Sequence, residues 1–178
     1  MILSDVDLMA AIKGKRLIIE PFSDEIIREN GIDLRLADEI AHHKRGADGF
    51  VMDPTDQKSI DSSYSMEKGK GSMIVGPGEH VLLSTLELIG MPDDLIGFVE
   101  LRSTWARHGL ALPPTIIDAG FKGTVTLAVF NTAPYSIKLT PKQRFAHIVF
   151  AKTSSKVADT YAGSYSGQRG INIPKAVK

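Results

Sequence analysis

The sequence predicts an all-β fold, a sandwich or jelly roll, with short helices near the N-terminus. Apolar and polar residues alternate in several stretches, among them DLRLAD at 33–38 and EHVLLSTLEL at 79–88, and such alternation is typical of half-buried strands. Gly, Pro and Asp cluster between these stretches and indicate turns. The stretches also recur about every 8 to 12 residues, which favours antiparallel sandwiches and jelly rolls over folds that alternate strands with helices.

The N-terminal segment predicts two short helices and one strand. Ser4 precedes Asp5 and Asp7, and a serine cap followed by acids suits the positive end of a helix. A strand is predicted at 17–19 and is stopped by Pro21. A second short helix is predicted to begin at Ser23 and to end at Gly31.

Strands dominate the rest of the chain. The predicted strands are Val81–Leu88, Leu95–Leu101, Leu110–Leu112, Thr124–Phe130, Ser136–Leu139 and Phe145–Phe150. Residues 42–72 are polar, rich in Gly, Ser and Lys, and weakly periodic, so they are predicted to form a long, partly mobile excursion. After Lys152 the residues are small and polar, and such a tail either frays or closes over something.

Composition limits the function. The 178 residues are predicted to form one domain, 1–178. The formal net charge of zero argues against nucleic-acid binding, which needs clustered Lys and Arg. The chain has no cysteine, so disulfides and thiolate metal sites are excluded and a reducing cytoplasm is predicted. We see no signal peptide and no apolar run near the ~20 residues of a membrane helix, so a soluble protein without membrane association is expected.

Several familiar nucleotide motifs are missing. The sequence contains no GxxxxGK[ST] phosphate loop, no GxGxxG after a strand, and no His-x-Glu with Cys-x-x-Cys as in zinc deaminases. Its five histidines form neither an H-x-x-x-H motif nor a cluster with carboxylates. A zinc site held by the protein is therefore not expected.

The tripeptide Arg102-Ser103-Thr104 follows an apolar strand and suits phosphate oxygens. Arginine offers a forked donor and serine a hydroxyl. The alternative is a surface arginine beside a serine turn, and the nearby Arg107 favours phosphate binding only slightly.

Asp118 lies between a β-branched stretch and a Gly-containing turn. It either shapes the turn or acts as a general base that deprotonates a water. Phe121, three residues later, is either a core residue or an aromatic wall against a sugar. Asp33 and Arg35 share one face of a strand, and a structural salt bridge between them is the favoured interpretation.

The tail combines glycines with side chains that bind phosphate or stack on a ligand. These side chains are Tyr161, Tyr165, Gln168 and Arg169. They predict either a lid that becomes ordered when polyphosphate binds or a frayed terminus. Composition alone does not separate the two.

Taken in order, the motifs resemble the dCTP deaminase/dUTPase superfamily. The resemblance rests on MILSD, GIDLRL, RSTWARHGL, IIDAGFKGTVTLAVFN, KQRFAHIVF and YSGQRG. It implies an all-β distorted jelly roll (a dUTPase-like β-clip) and a homotrimer with active sites shared between subunits. It also implies a C-terminal lid from about residue 159. The RSTWAR spacing is similar to that of the deaminase branch.

The resemblance also implies roles for individual residues. Arg102, Ser103 and Thr104 would bind phosphates across the subunit boundary. Pro114, Thr115 and Ile117 would read the uracil edge, and Phe121 would pack on the deoxyribose. The lid residues would be Tyr161, Tyr165, Gln168 and Arg169. Asp33 would support the metal or phosphate side, and Mg²⁺ would be carried by the triphosphate rather than held by the protein.

Position 128 decides the predicted activity. Deaminases of this family carry a glutamate in a Leu-Glu-x-x-Asn pattern, whereas this chain has Leu127-Ala128-Val129-Phe130-Asn131. Alanine transfers no proton, and loss of a positioned acid or base removes about 10² to 10⁴ in rate. The prediction is therefore a dUTP diphosphatase, in which water held by Asp118 converts dUTP to dUMP and pyrophosphate.

Two alternatives remain open. The first is a dCTP deaminase, alone or bifunctional, in which Ala128 is either inert or a replacement of the catalytic glutamate. The second is a non-catalytic nucleotide-binding trimer on the same fold. Two further departures from the family pattern are His147, where glutamine is usual, and Ser164, where lysine is frequent.

Overall fold

The computed structural model describes residues 1–44, 46 and 48–177, and strands dominate it. This confirms the predicted all-β class. The strands are β1 Ile18–Glu20, β2 Ile27–Arg28, β3 Gly31–His43, β4 Tyr64–Lys68, β5 Met73–Val75, β6 His80–Gly90, β7 Leu95–Leu101, β8 Leu110–Ala111, β9 Thr115–Ile117, β10 Lys122–Asn131, β11 Ile137–Leu139 and β12 Arg144–Lys152. The helices are α1 Asp5–Lys13, α2 Gln57–Ser62 and α3 Ser103–Arg107. Within the described ranges, no helix has the length and apolar character needed to cross a membrane.

The main sheet is antiparallel and curls on itself. Its strands follow the order β8-β10-β6-β3-β12-β7-β9, with β1 added on β6 and both β2 and β4 added on β3. Strands β5 and β11 form a separate small pair. Register shifts in β3, β10 and β12 interrupt the ladders, and such bulges bend a sheet and increase its twist.

Strand β3 joins the two halves of the sheet. Its first half pairs with β12 and its second half pairs with β6 and β4. Its apolar residues Ile32, Leu34 and Leu36 are fully buried, and so are Phe145 and Phe150 of β12. The alternation seen in the sequence therefore places one face of β3 in the core and leaves Asp33 and Arg35 on the other.

The N-terminal helix forms as predicted, and the second one does not. Helix α1 begins with a capping box in which Ser4 and Asp7 bond each other's backbone N–H groups. The predicted helix at 23–31 is a single 3₁₀ turn, Asp24–Ile26. The chain then pairs as β2 against the start of β3, so Gly31 begins a strand instead of ending a helix.

Residues 42–72, predicted as a long and partly mobile excursion, contain more regular structure than their weak periodicity indicates. This stretch contains α2 and β4, and β4 pairs with the second half of β3. Ile60 and Tyr64 form a satellite core with Ala41, Leu82 and Ile171 of the tail. A few apolar residues within this polar stretch are thus enough to pack the 42–72 segment against the rest of the protein. Arg45 and Ala47 lie outside the described residues.

Candidate active site

A cavity of about 290 Å³ lies between the β9–β10 turn and the C-terminal tail. Its volume is near the lower end of the range for small-molecule pockets. We call it the Asp118 pocket; its walls are Leu82, Thr115, Ile116, Ile117, Asp118, Phe121, Val125, Thr126, Tyr161, Tyr165, Gln168, Asn172 and Pro174. Asp118 is the acidic residue among these lining residues.

The turn after β9 fixes Asp118 at the mouth of this pocket. Ile117, the last residue of β9, pairs with Gly97 of β7. The Phe121 N–H donates to the Asp118 carbonyl at 3.1 Å and closes the turn. Gly120 adopts φ +84°, and its Cα faces Thr160 so closely that a Cβ would collide. The glycine thus lets the tail approach, and Asp118 itself remains exposed.

Aromatic side chains form one wall. Phe121 is buried in the main core, and its ring centroid lies 5.7 Å from that of Tyr161. The Tyr161 hydroxyl accepts a bond from the Tyr165 N–H at 3.3 Å. Phe121 is therefore both a core residue and a wall of the pocket, and its predicted contact with a deoxyribose stays a prediction.

The tail is docked along β10, so the frayed alternative does not describe this structure. The Thr124 N–H donates to the Gln168 carbonyl at 3.1 Å, and the Gln168 side-chain amide donates back to the Thr124 carbonyl. The Asn172 N–H donates to Thr126 Oγ1 at 3.1 Å. Beyond the pocket, the Ala176 N–H donates to Gln57 of α2 at 2.9 Å. The 42–72 segment therefore anchors the end of the tail.

A second cavity, of about 320 Å³, lies at the other end of β7. We call it the Arg102 pocket; it is lined by Arg28, Glu29, Asp33, Glu100, Leu101, Arg102, Ser103 and His147. Gly97 lies beside the Asp118 pocket and Arg102 follows the end of β7. The two sites are thus roughly 16 Å apart along that strand.

Asp33 is the centre of the Arg102 pocket. Its side chain is 3% exposed; Oδ2 accepts a hydrogen bond from Arg28 Nε at 3.1 Å and forms an ion pair with Arg102, whose Nε lies 2.9 Å away. Oδ1 lies 2.9 Å from His147 Nδ1. Burial alone raises the pKa of Asp33. The hydrogen bond with His147, the charge of Arg102 and the bond from Arg28 outweigh burial and hold the pKa below 3.8.

The predicted salt bridge between Asp33 and Arg35 is wrong. Arg35 instead donates from Nε to the fully buried Glu87 at 2.6 Å and from its backbone N–H at 2.8 Å. Two residues on the same strand face are about 6.6 Å apart, whereas directly opposed residues on paired strands are about 5 Å apart. A charged residue on a neighbouring strand is therefore closer, and a better salt-bridge partner, than one two residues away on the same strand.

Both carboxylate oxygens of Asp33 are occupied by arginines and a histidine. Asp33 therefore orients arginines and is not assigned as a metal ligand.

The RST segment forms a helix rather than a simple turn. Arg102 precedes α3, and its guanidinium also donates to the Arg144 carbonyl at 3.3 Å. Trp105 Nε1 donates to the same carbonyl at 2.9 Å and ties α3 to β12. Ser103 is exposed at the pocket rim.

The structure brings most of the predicted site residues to one of the two pockets. Thr104, Arg107, Pro114 and Arg169 are exposed and line neither. Sequence analysis missed Arg28 and Glu100, which strand pairing brings to the Arg102 pocket, and Glu29, which lies in the turn between β2 and β3. It noted His147 only as a departure from the family pattern. Strand register, which short motifs do not reveal, is the signal that would have found them.

Ala128 has apolar surroundings. It pairs with Leu82 of β6 and packs against the satellite core that contains Ile171. It is absent from the lining of the Asp118 pocket. Across the part of the chain that the structure describes, no three His, Asp or Glu side chains gather as a metal site.

Comparison with known proteins gives a consistent result. A family model described as dCTP deaminase-like matches residues 2–153. A dCTP deaminase of Desulfurococcus amylolyticus is 48% identical over 98% of this chain and 95% of that protein. One of Staphylothermus marinus is 46% identical over 98% of this chain and 99% of that protein.

Solved structures support the fold. The dCTP deaminase of Agrobacterium tumefaciens matches with a TM-score of 0.65 at 19% identity, covering 84% of this chain and 46% of that one. A dUTPase of phage 80alpha, solved as a point mutant, matches with a TM-score of 0.52 at 14% identity, over 84% of this chain and 98% of that one. The predicted dUTPase-like distorted jelly roll is thereby confirmed.

The prediction of a dUTP diphosphatase is wrong. Relatives that share nearly half of the residues over almost the whole chain are named dCTP deaminase, so the missing glutamate at position 128 does not place this chain among the dUTPases. The predicted superfamily is confirmed, and this chain belongs to the dCTP deaminase-like family.

Proposed function

We propose that this chain deaminates dCTP to dUTP, with release of ammonia. The observation that carries the choice of substrate and reaction is the name shared by relatives that are 46% and 48% identical over 98% of the chain. The geometry of the Asp118 pocket supports the proposal, since that pocket has the size and lining expected for a pyrimidine nucleoside.

The pocket combines apolar and aromatic side chains with a few polar ones. Phe121 and Tyr161 provide aromatic surface for the sugar and base, and Thr115, Ile116 and Ile117 of strand β9 also line the pocket. Gln168 and Asn172 add side-chain amides from the tail. Backbone and amide groups together donate and accept hydrogen bonds, as the amino and carbonyl groups of cytosine require. Thr115, Ile116 and Ile117 would thus read cytosine, whereas Pro114 lies outside the pocket lining.

Asp118 is the group proposed to handle protons. Water adds to C4 of cytosine while Asp118 accepts one of its protons and delivers it to N3. Asp118 then accepts the proton of the resulting C4 hydroxyl and delivers it to the exocyclic nitrogen, which leaves as ammonia as the C4–N bond breaks. A carbonyl at C4 remains, and the product is dUTP. Ala128 contributes no proton transfer, so the acid at the pocket mouth is the chain's own candidate for this role.

The Arg102 pocket is proposed to hold the triphosphate. Arg102 and Ser103 supply donors suited to phosphate oxygens, and Asp33 fixes the guanidiniums of Arg102 and Arg28. We further propose that the base and phosphates occupy pockets of neighbouring subunits in a homotrimer. Mg²⁺ would arrive with the triphosphate and offset its charge.

The tail is proposed to act as a lid from about residue 159, within a single domain 1–178. Its bonds to β10 place Tyr165 and Gln168 at the pocket. Opening it would admit substrate, and closing it would exclude bulk water from the cytosine ring. The lack of cysteine fits a reducing cytoplasm.

The test is product analysis with the full chain and Mg²⁺. Incubation with dCTP is expected to release equal amounts of ammonia and dUTP, measured by an enzyme-coupled ammonia assay and by anion-exchange chromatography. An Asp118→Asn variant should lose turnover while it still binds dCTP. Tight binding of dCTP without any ammonia would reject deamination and favour a nucleotide-binding role.

A further inference from the structure

Two histidines meet at the junction of β3 and β6, outside both pockets. His43 is the last residue of β3 and His80 is the first residue of β6. The adjacent residues His42 and Val81 are directly opposite each other, which brings the two chain positions together. His43 Nε2 lies 2.9 Å from His80 Nδ1. Neither side chain lines the Asp118 pocket or the Arg102 pocket, so the proposed deamination gives this pair no role.

Neighbouring strands hold the backbone on both sides of the pair. His43 is directly opposite Tyr64 of β4, and His80 is directly opposite Phe130 of β10. The ring centroid of His43 lies 4.4 Å from that of the buried Tyr64 and 5.1 Å from that of His80. The two imidazoles are therefore brought together by the register of four strands and not by a loop.

Both rings can offer a lone pair at the point where they meet. Partial burial and the charge of His80 lower the pKa of His43, so at about pH 7.5 the His43 ring is neutral and only one of its nitrogens carries a hydrogen. Within the described ranges, His43 Nδ1 and His80 Nε2 form no hydrogen bond, so these atoms can carry the ring hydrogens. His43 Nε2 and His80 Nδ1 are then two neighbouring electron-pair donors.

The separation of these two nitrogens fits a metal chelate. Metal–imidazole bonds are about 2.0 to 2.1 Å long, so two ligand atoms at 90° to each other lie about 2.9 Å apart, whereas two ligands of a tetrahedral ion lie about 3.3 Å apart. The observed 2.9 Å matches the 90° arrangement. Nitrogen ligands in square-planar or tetragonal geometry are typical of Cu²⁺ and Ni²⁺. Both rings must turn to aim their lone pairs at one ion, and the exposed position of His43 permits this.

We propose that His43 and His80 form a two-histidine chelate for a tetragonal divalent ion of the Ni²⁺ and Cu²⁺ class. In the described part of the chain no group of three His, Asp or Glu side chains could hold a metal, so water would complete the coordination. The ion would link β3 to β6. The same two strands supply Ala41 and Leu82 to the satellite core, so the bound ion should also stabilise the fold.

The experiment is isothermal titration calorimetry with NiCl₂ alone. It uses the full chain without a polyhistidine tag, at about pH 7.5 and without nucleotide, since a triphosphate would itself bind the metal. The variants are His43→Gln, His80→Gln and the double variant. His108→Gln is the matched control, because His108 is exposed, lies beside Trp105 and lines neither pocket.

The wild type and His108→Gln are expected to bind one Ni²⁺ per chain with equal affinity. Each single variant should bind at least about tenfold more weakly. The double variant should be no weaker than either single variant, because losing one ligand already destroys the chelate. Ni²⁺ should also raise the melting temperature of the wild type and of His108→Gln, and leave that of the other variants unchanged.

Equal affinities in the wild type and in either single variant that is folded by circular dichroism would overturn the proposal. Tighter binding of Zn²⁺ than of Ni²⁺ would overturn the assigned 90° geometry. Because no nucleotide is present, neither result depends on deamination. Ammonia release from dCTP, measured separately, reports whether the proposed function stands.

Discussion

The Asp118 pocket and the Arg102 pocket are similar in volume and different in almost everything else. The first has mainly apolar and aromatic walls with one carboxylate, and the tail covers it. The second is lined mainly by charged side chains, and its two arginines pair with the buried Asp33. One pocket suits a ring and the other suits a phosphate chain, which are the two ends of a nucleoside triphosphate.

The two pockets also differ in how the chain builds them. One strand, one turn and the docked tail supply most of the Asp118 pocket. The Arg102 pocket is assembled from β2, β3, β7 and β12, so its side chains meet only when the sheet has its native register. Perturbing the first pocket should therefore affect chemistry, and perturbing the second should affect both binding and stability.

The largest expected effect is that of Asp118→Asn on chemistry. Asparagine keeps the size and loses the proton acceptor, so kcat for ammonia release should fall by about 10² to 10⁴. The Kd for dCTP, measured by calorimetry, should change little because Asp118 is exposed and its backbone carbonyl alone closes the turn.

Asp48→Asn is the matched control, an exposed acid that lines neither pocket. It should leave kcat unchanged. An equal loss in kcat for both variants, or an unchanged kcat in Asp118→Asn, would contradict the assigned role of Asp118.

Asp33→Asn should reduce both the stability of the fold and the affinity for dCTP. Removing the charge leaves Arg28 and Arg102, which are 33% and 28% exposed, without their anionic partner, and loss of a hydrogen bond to a charged group costs about 1 to 3 kcal/mol in the free energy of unfolding. Urea unfolding and calorimetry measure the two effects. Asp94→Asn, which breaks a pair with Arg16 outside both pockets, should lower stability without weakening dCTP binding.

The lowered pKa of Asp33 also predicts acid lability. In the folded protein this pKa lies below the ordinary 3.8, so the stabilisation is fully present above pH 3.8. It is lost as the pH falls from there through the lowered folded-state pKa. Urea unfolding at a series of pH values should therefore show a steeper acid loss of stability in the wild type than in Asp33→Asn. Parallel curves would contradict this assignment.

Local patterns in the sequence predict strands better than they predict contacts. Strand β7 has its predicted bounds, because alternation and turn residues act over a few positions. The segment at 23–31 was misassigned as a helix because pairing with β3 overrides its local preference. Ile60 and Tyr64 were overlooked within a polar stretch, since only Ile171, more than 100 residues later, completes their core.

The candidate site shows the same division. Asp118, Phe121, Tyr161 and Gln168 were found because a turn or a tail presents them together. Arg28 and Glu100 were missed because only strand register brings them to Asp33. The activity was mispredicted for another reason. The predicted activity rests on one alanine, whereas nearly half of all residues are identical to those of proteins named dCTP deaminase.

Ala128→Glu tests that alanine directly. Wild-type turnover is proposed to rely on Asp118, and a second positioned acid should raise ammonia release at least about tenfold. The increase in rate should be smaller than the 10² to 10⁴ of a well-positioned acid, because residue 128 is paired with Leu82 and packs against the satellite core that contains Ile171. Ala128→Gln has the same shape without proton transfer and should give no gain. Equal rates for both variants would show that residue 128 does not reach the substrate in this chain.

The smallest expected effect concerns the tail, which covers the Asp118 pocket and does not line the Arg102 pocket. Gly167 and Gly170 both adopt positive φ, +77° and +69°. A Cβ on Gly167 meets nothing within 4 Å, whereas one on Gly170 would be 2.6 Å from an oxygen of the buried Glu39. Alanine at either position costs about 1 kcal/mol of backbone strain, and at 170 it also displaces a carboxylate. Gly170→Ala should therefore speed protease cleavage of the tail severalfold more than Gly167→Ala.

Adding Glu39→Ala to Gly170→Ala should recover much of that difference, because the clash is with the carboxylate and not with backbone. If the two glycine variants are cleaved at the same rate, contact with Glu39 does not hold the tail. Two results together would show that docking of the tail is needed for activity at the Asp118 pocket. The double variant should regain protection from protease, and the glycine variant that is cleaved faster should also release ammonia more slowly. The Arg102 pocket, which has no tail residue in its lining, should bind tripolyphosphate equally in all of these variants.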